Sequence, residues 1–174
     1  MNVSLPMISA APPAAPKQPN NELCDSHGRH IKDLRLSVTD RCNLRCQYCM
    51  PEAEYVWLPR EDILSFEEIS TLTDLFTTVG VNKVRLTGGE PLLRKNLPDL
   101  IKVLAAKPAI QDFALTTNGI LLADRAAALQ SAGLQRITVS LDTLKPDRFK
   151  ALTRFDELSA VLAGLNQAVQ TWVN

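Results

Sequence analysis

Four short runs place apolar and polar side chains alternately along the chain: DLRLSVT (33–39), KVRLTG (83–88), DFALTTN (112–118) and RITVSLD (136–142). A period of two marks a strand whose faces meet different surroundings. Between these runs the apolar spacing changes to three and four. Phe66, Ile69, Leu72, Leu75 and Val79 define one side of a helix that Ser65 and Glu68 open as a capping box and Gly80 ends. Asn96 is placed to cap a second helix carrying Leu97, Leu100, Ile101 and Leu104. A third is expected from about Asp124 to Gly133, a short one from Pro146, and a last one carrying Leu158, Val161, Leu162, Leu165 and Trp172. Strand then helix, repeated, predicts right-handed βα units around a parallel sheet. The fold class is therefore α/β, a partial (β/α) barrel of about four units with an open edge.

The alternation also says what the sheet faces. Strands buried on both sides read as unbroken Val, Ile and Leu. Here Leu34, Leu36 and Val38, Val84 and Leu86, Phe113 and Leu115, and Ile137, Val139 and Leu141 form a register that helices can cover. The opposite register holds Arg35, Ser37 and Thr39, Arg85 and Thr87, Thr116 and Asn118, and Thr138, Ser140 and Asp142. A polar interior suggests a cavity for a polar ligand. An antiparallel sheet with one solvated face would show the same alternation, but helical patterns stand between all four strands.

Each strand leads directly into a segment of unusual composition: the first into Cys42, the others into TGGEP, TTNG and SLDT. Ligand sites of parallel βα folds gather at those carboxyl ends. Cys42, Cys46 and Cys49, at C-x3-C-x2-C spacing, supply three of the four positions that a tetrahedral zinc or an iron–sulfur cube requires. For zinc the fourth ligand would be protein, with Cys24, His27 or His30 as candidates. A cube could leave one iron open to a chelating ligand. The spacing allows both.

Composition removes other classes. Zero net charge and no basic block leave no footprint for nucleic acid, and no apolar run is long enough to span a membrane. Four cysteines without a secretory signal point to a reducing compartment, the cytoplasm. Residues 1–22, with five prolines and no charge before Lys17, read as a disordered leader to a single domain over 23–174.

LRLSVTDRCNLRCQYCMP, VRLTGGEPLLR, TTNG and VSLD, in this order and preceded by DSHGR, closely resemble the GTP 3',8-cyclases, the radical S-adenosylmethionine (radical SAM) enzymes that begin molybdenum cofactor biosynthesis. The resemblance runs from about Leu23 to about Gln170 and implies the radical SAM type of partial barrel. It implies that Cys42, Cys46 and Cys49 bind a [4Fe–4S] cluster whose open iron takes S-adenosylmethionine. It assigns Tyr48, Gly88, Gly89, Glu90 and Ser140 to that cofactor, and Arg35, Arg85 and Thr116 to GTP. The reaction implied converts GTP, by way of a 5'-deoxyadenosyl radical, to (8S)-3',8-cyclo-7,8-dihydroguanosine 5'-triphosphate. An electron donor is a further implied partner, and no catalytic side chain is assigned. Simpler roles stand beside these. Arg35 or Arg85 could pair with Glu90 or Asp142, Tyr48 could shield the cluster, the glycine pair could be a tight turn, and Asn118 could be a turn former only.

Members of that family are roughly twice as long, with further βα units and a second cysteine triad. The chain is therefore expected to be incomplete at its C-terminal end, with RITVSL as an exposed edge, and to work with a missing C-terminal half or as a homodimer. The alternatives are another radical SAM enzyme, or a non-catalytic zinc or iron–sulfur module.

Overall fold

The computed structural model describes residues 23–52 and 54–173, so the expected leader lies outside the described residues. Strands β1 (Asp33–Ser37), β2 (Lys83–Thr87), β3 (Asp112–Thr117) and β4 (Arg136–Val139) pair in chain order, all parallel. The antiparallel alternative is excluded. Parallel neighbours need long crossovers, and these carry α1 (Phe66–Thr78), α2 (Leu97–Ala105) and α3 (Leu122–Ser131); α4 (Pro146–Thr153) and α5 (Leu158–Trp172) follow β4.

The two registers separate as the alternation requires. Val38, Val84, Leu86, Phe113 and Leu115 are buried against Ile69 of α1, Leu100, Ile101 and Leu104 of α2, and Leu122 and Leu129 of α3. Burying a side chain of this size contributes about 1.5–3 kcal/mol, so this one face supplies most of the drive to fold. On the other face Arg35, Ser37, Thr138 and Ser140 are exposed, and Arg85, Thr87 and Thr116 half-buried. The strand pairing puts Arg35 opposite Arg85, and Ser37 opposite Thr87.

Helix boundaries depart from the pattern where tertiary contacts take over. On α1, Leu75 is 60% exposed, whereas Thr73 is fully buried, its hydroxyl satisfied by the Ile69 carbonyl at 2.8 Å. A threonine that bonds back to its own helix can occupy the inner face, and the apolar stripe misreads it. Asn96 does not cap α2 with its side chain; it adopts a left-handed backbone (φ 57°), and its carbonyl accepts from the Asp99 N–H. α3 starts two residues before the expected Asp124, its first N–H held by the Gly119 carbonyl.

The capping box of α1 is formed as expected. Glu68 N–H donates to Ser65 Oγ at 3.2 Å, and Ser65 N–H to Glu68 Oε2 at 2.7 Å. Ser65→Ala is expected to lower stability by about 1 kcal/mol, a fall of roughly 2–4 °C in Tm by circular dichroism. An unchanged Tm would mean that packing alone fixes the start of α1.

Candidate active-site rim

The cysteine loop is built as an extension of the β1–β2 ladder. Beyond the strand ends, Val38 N–H donates to Thr87 O, Gly89 N–H to Thr39 O and Glu90 N–H to Arg41 O, at 2.7–2.9 Å. This zips residues 38–41 to TGGEP and explains the glycines. A Cβ at Gly89 would lie 2.5 Å from the Asp40 carbonyl oxygen and closer still to that of Arg41; one at Gly88 would strike Thr39 O. Real Cβ atoms do not approach backbone so closely. The resemblance assigns these glycines to S-adenosylmethionine; in the structure the cysteine loop is a close neighbour of both.

From β1 the loop then crosses the whole rim. With strands about 4.8 Å apart, β1 and β4 of a flat sheet would stand about 14 Å apart, yet Tyr48 donates its hydroxyl to Asp142 Oδ2, just past β4, at 2.8 Å. That bond raises the Tyr48 pKa and ties the loop to the far edge. Arg45 N–H and Gln47 N–H reach the Thr153 and Leu152 carbonyls at the end of α4. Underneath lies a second, small core of Leu44, Phe149, Leu158 and Val161, on which Cys42 and Cys46 pack.

Cys42 and Cys46 are half-buried, Cys49 is exposed, and all three are free thiols. Burial pushes Cys42 and Cys46 above the ordinary thiol range. Against this, Leu44 N–H points at Cys42 Sγ from 3.4 Å, and Asn118 Nδ2 lies 4.0 Å from it. Donors aimed at sulfur suit a thiolate that ligates an iron–sulfur group. Among the described residues no three His, Cys, Asp or Glu side chains already converge on one metal position. Cys24 and His30, 3.5 Å apart in a small hairpin, precede β1 at its amino end. The length of β1, about 16 Å, separates them from the loop, so Cys24 and His30 are not at hand as a fourth zinc ligand.

Glu90 is completely buried and acts as a hub. Its Oε1 accepts from Leu92 N–H and the Thr117 hydroxyl, and its Oε2 from Asn118 N–H, at 2.7–3.0 Å. Burial raises its pKa, and the three donors, led by Asn118 N–H, partly offset the rise. Asn118 is more than a turn former: its Nδ2 donates to Asn43 Oδ1 at 2.7 Å, joining the end of β3 to the cysteine loop. Ser140 N–H donates to Thr117 O, which places its exposed side chain on the same rim.

Lower on the polar face, one Nη of Arg85 donates to Thr116 Oγ1 at 3.1 Å and to Thr138 Oγ1 at 3.0 Å. Arg35 has no hydrogen-bond or ion-pair partner among the described residues. Neither arginine pairs with Glu90 or Asp142, so those simpler roles are not taken up. Arg136 is neutralised differently, by a two-point pair with Asp112 at 2.6 and 2.9 Å. Sequence reasoning missed Asn43, Arg45 and Thr117; nothing in their spacing distinguishes the first two from the rest of the cysteine loop, or Thr117 from its neighbours in β3. Thr138 stood in the polar register without a role.

A family model described as the radical SAM superfamily matches residues 36–171. The chain belongs to the radical SAM superfamily. Radical SAM membership implies an iron–sulfur cluster and S-adenosylmethionine as the reactive pair. Among solved structures, HydG, a maturase of the [FeFe]-hydrogenase, aligns over 80% of this chain and 32% of its own with a TM-score of 0.67 at 14% identity. Methylornithine synthase aligns with a TM-score of 0.62 at 15% identity, over 80% of this chain and 41% of its own. At such identities these show the fold, a radical SAM partial barrel. By sequence the chain is 59% identical over 145 residues to GTP 3',8-cyclase 3 of Mycobacterium bovis, covering 81% of this chain and 38% of the relative. It is 54% identical over 151 residues to GTP 3',8-cyclase 1 of Mycobacterium tuberculosis, covering 84% and 42%. The chain thus spans about two-fifths of the length of these relatives. Among the described residues no helix is long and apolar enough to cross a membrane.

Proposed function

We propose that the chain is the cluster-bearing part of a GTP 3',8-cyclase of molybdenum cofactor biosynthesis, working in the cytoplasm. The reading rests on one juxtaposition: the cysteine loop, TGGEP, Asn118 and Ser140 share a single rim above a polar face that carries Arg35 and Arg85. The high identity to two cyclases over this segment supports it.

Cys42, Cys46 and Cys49 would ligate a [4Fe–4S] cluster, each thiol losing its proton and turning toward the others. With S-adenosylmethionine bound, the cluster supplies one-electron cleavage of the sulfonium and so a hydrogen-abstracting radical; the electron comes from a separate donor. The chain's own residues provide the frame. Gly88 and Gly89 let the loop lie flat on the β2 end, Glu90 anchors the turn after them, and Tyr48 braces the loop against Asp142. Together with Ser140 they bound the space assigned to S-adenosylmethionine.

The arginines speak for GTP. Arg35 and Arg85 stand directly opposite on neighbouring strands, and like charges so placed repel. Hydroxyls, not carboxylates, contact Arg85. A triphosphate relieves that repulsion and accepts from guanidinium forks, while Thr116 and Thr138 hold Arg85 in position.

Anaerobic assay of this 174-residue polypeptide with dithionite, S-adenosylmethionine and GTP is expected to yield 5'-deoxyadenosine slowly and no cyclised nucleotide. The exposed polar face offers few groups to orient a purine, and a misplacement of about 1 Å costs on the order of a hundred-fold in rate. The cyclised nucleotide is expected once the chain is extended to the length of its relatives. Absence of 5'-deoxyadenosine from iron-loaded protein would overturn the radical reading; robust cyclised product from the 174 residues would show that they suffice to orient GTP.

A further inference from the structure

We propose that Arg45 is a positioning residue: it locks the peptide unit whose N–H faces the Cys42 sulfur, and so sets the reduction potential of the cluster. The inference deepens the cluster reading above and rests on it.

Arg45 lies inside the cysteine motif, yet its side chain turns back onto the loop. Its Nη1 donates to the Cys42 carbonyl at 2.7 Å and to the Leu44 carbonyl at 2.8 Å. Those carbonyls belong to the peptide units on either side of the Asn43–Leu44 unit. The N–H of that middle unit is the one 3.4 Å from Cys42 Sγ. Peptide units are rigid planes, so one guanidinium gripping both flanking units prevents the middle one from rotating its N–H away from the sulfur.

The guanidinium is itself braced. It stands 5.2 Å from the centre of the Trp57 ring and 5.8 Å from that of Tyr55, and the two rings stack 5.7 Å apart with 23° between their planes. The Arg45 main chain is fixed as well, its N–H donating to Thr153 O at 3.0 Å. A pair of stacked aromatics, a planar cation and two carbonyls form one unit that clamps the loop from the side of residues 55–57. A cation over a ring adds attraction of its own, more where water is excluded.

The chemistry follows from the charge that a cluster gains on reduction. Hydrogen bonds to the ligating sulfurs and a nearby positive charge stabilise the more negative, reduced form and raise the potential. Arg45 provides both effects at Cys42, holding the Leu44 N–H toward the sulfur and placing a positive charge on the carbonyls of the same loop. Lysine would keep the charge but cannot reproduce the planar grip or the stacking, so Arg45→Lys separates position from charge. Trp57→Leu loosens the brace without touching the motif.

Two measurements test this. In metal-free protein, hydrogen exchange read at single amides gives the opening rate of the Leu44 N–H, with the Gly89 N–H, bonded to the Thr39 carbonyl at 2.8 Å, as internal reference. Arg45→Lys is expected to speed exchange at Leu44 several-fold and Trp57→Leu to speed it less, with the Gly89 rate unchanged. Unchanged Leu44 rates in both variants would overturn the proposal. If Arg45→Lys accelerates Gly89 too, the variant has opened as a whole and Trp57→Leu decides. In reconstituted protein of equal iron content, the midpoint potential by EPR-monitored titration is expected to shift negative in Arg45→Lys; an unmoved potential would likewise overturn it. Wild-type protein that takes up no iron would instead defeat the cluster reading, while the Leu44 exchange rates still judge the grip of Arg45.

Discussion

Replacing Cys42, Cys46 and Cys49 together by alanine is expected to abolish iron binding: the wild-type chain, reconstituted anaerobically, should hold about four iron and four sulfide per chain, and the variant almost none. The loss should be complete because each thiol supplies one of only three protein ligands, and no other thiol reaches the rim. Cys24→Ala is the matching control. Its hairpin lies at the amino end of β1, bonded through Leu23 N–H to the Val79 carbonyl at the end of α1, so iron content and visible absorption should be retained. S-adenosylmethionine cleavage should follow the iron in all three proteins. Equal iron in wild type and triple variant, or zinc in place of iron, would overturn the cluster assignment and favour the metal-module alternative.

Gly89→Val is expected to have the next largest effect, through the protein rather than through a ligand. The new side chain would enter the space held by the Asp40 and Arg41 carbonyls, and backbone cannot swing aside as a flexible side chain can. Overpacking of this kind typically costs about 1–3 kcal/mol, roughly 5–10 °C in Tm for a chain of this size at the upper end. The ladder bonds from Gly89 and Glu90 to Thr39 and Arg41 should break with it. The loop would then leave β2, and iron uptake should fall together with stability. Thermal unfolding and iron analysis on the same preparation check the coupling. A variant with native Tm and native iron but weakened S-adenosylmethionine binding would show that the glycine acts at the ligand and not at the loop.

The strands were legible because their side chains obey a strict period of two: of the apolar register, Leu36, Val38, Val84, Leu86, Phe113, Leu115, Ile137 and Val139 join the main core, Leu141 packs on the small core under the cysteine loop, and half-buried Leu34 joins neither. The same period placed Arg35, Arg85, Thr116 and Thr138 on one face. Boundaries were less legible. β4 ends at Val139, before the expected SLD; Ser140 N–H still bonds the Thr117 carbonyl, and Asp142 turns to Tyr48, 94 residues away in sequence. Leu75 and Thr73 exchanged the places that hydrophobicity alone assigns, since a hydroxyl satisfied within its own helix loses its objection to burial.

By itself the sequence determined the parallel βα order, the unlike faces of the sheet, the capping box of α1, and the grouping of cysteines, glycines and polar residues at strand ends. Local chemistry decides each of these: side-chain period, cap geometry and ligand spacing need only neighbours along the chain. The tertiary structure alone decided what those groups touch. Glu90 turned out to hold β3 to the TGGEP turn, Gly88 and Gly89 to make room for the cysteine loop, and Arg45 to grip its peptides from beneath two aromatic rings. Hydrogen bonds and close packing depend on directions fixed by residues distant in sequence, and a one-dimensional pattern carries the residue types for such contacts but not their directions.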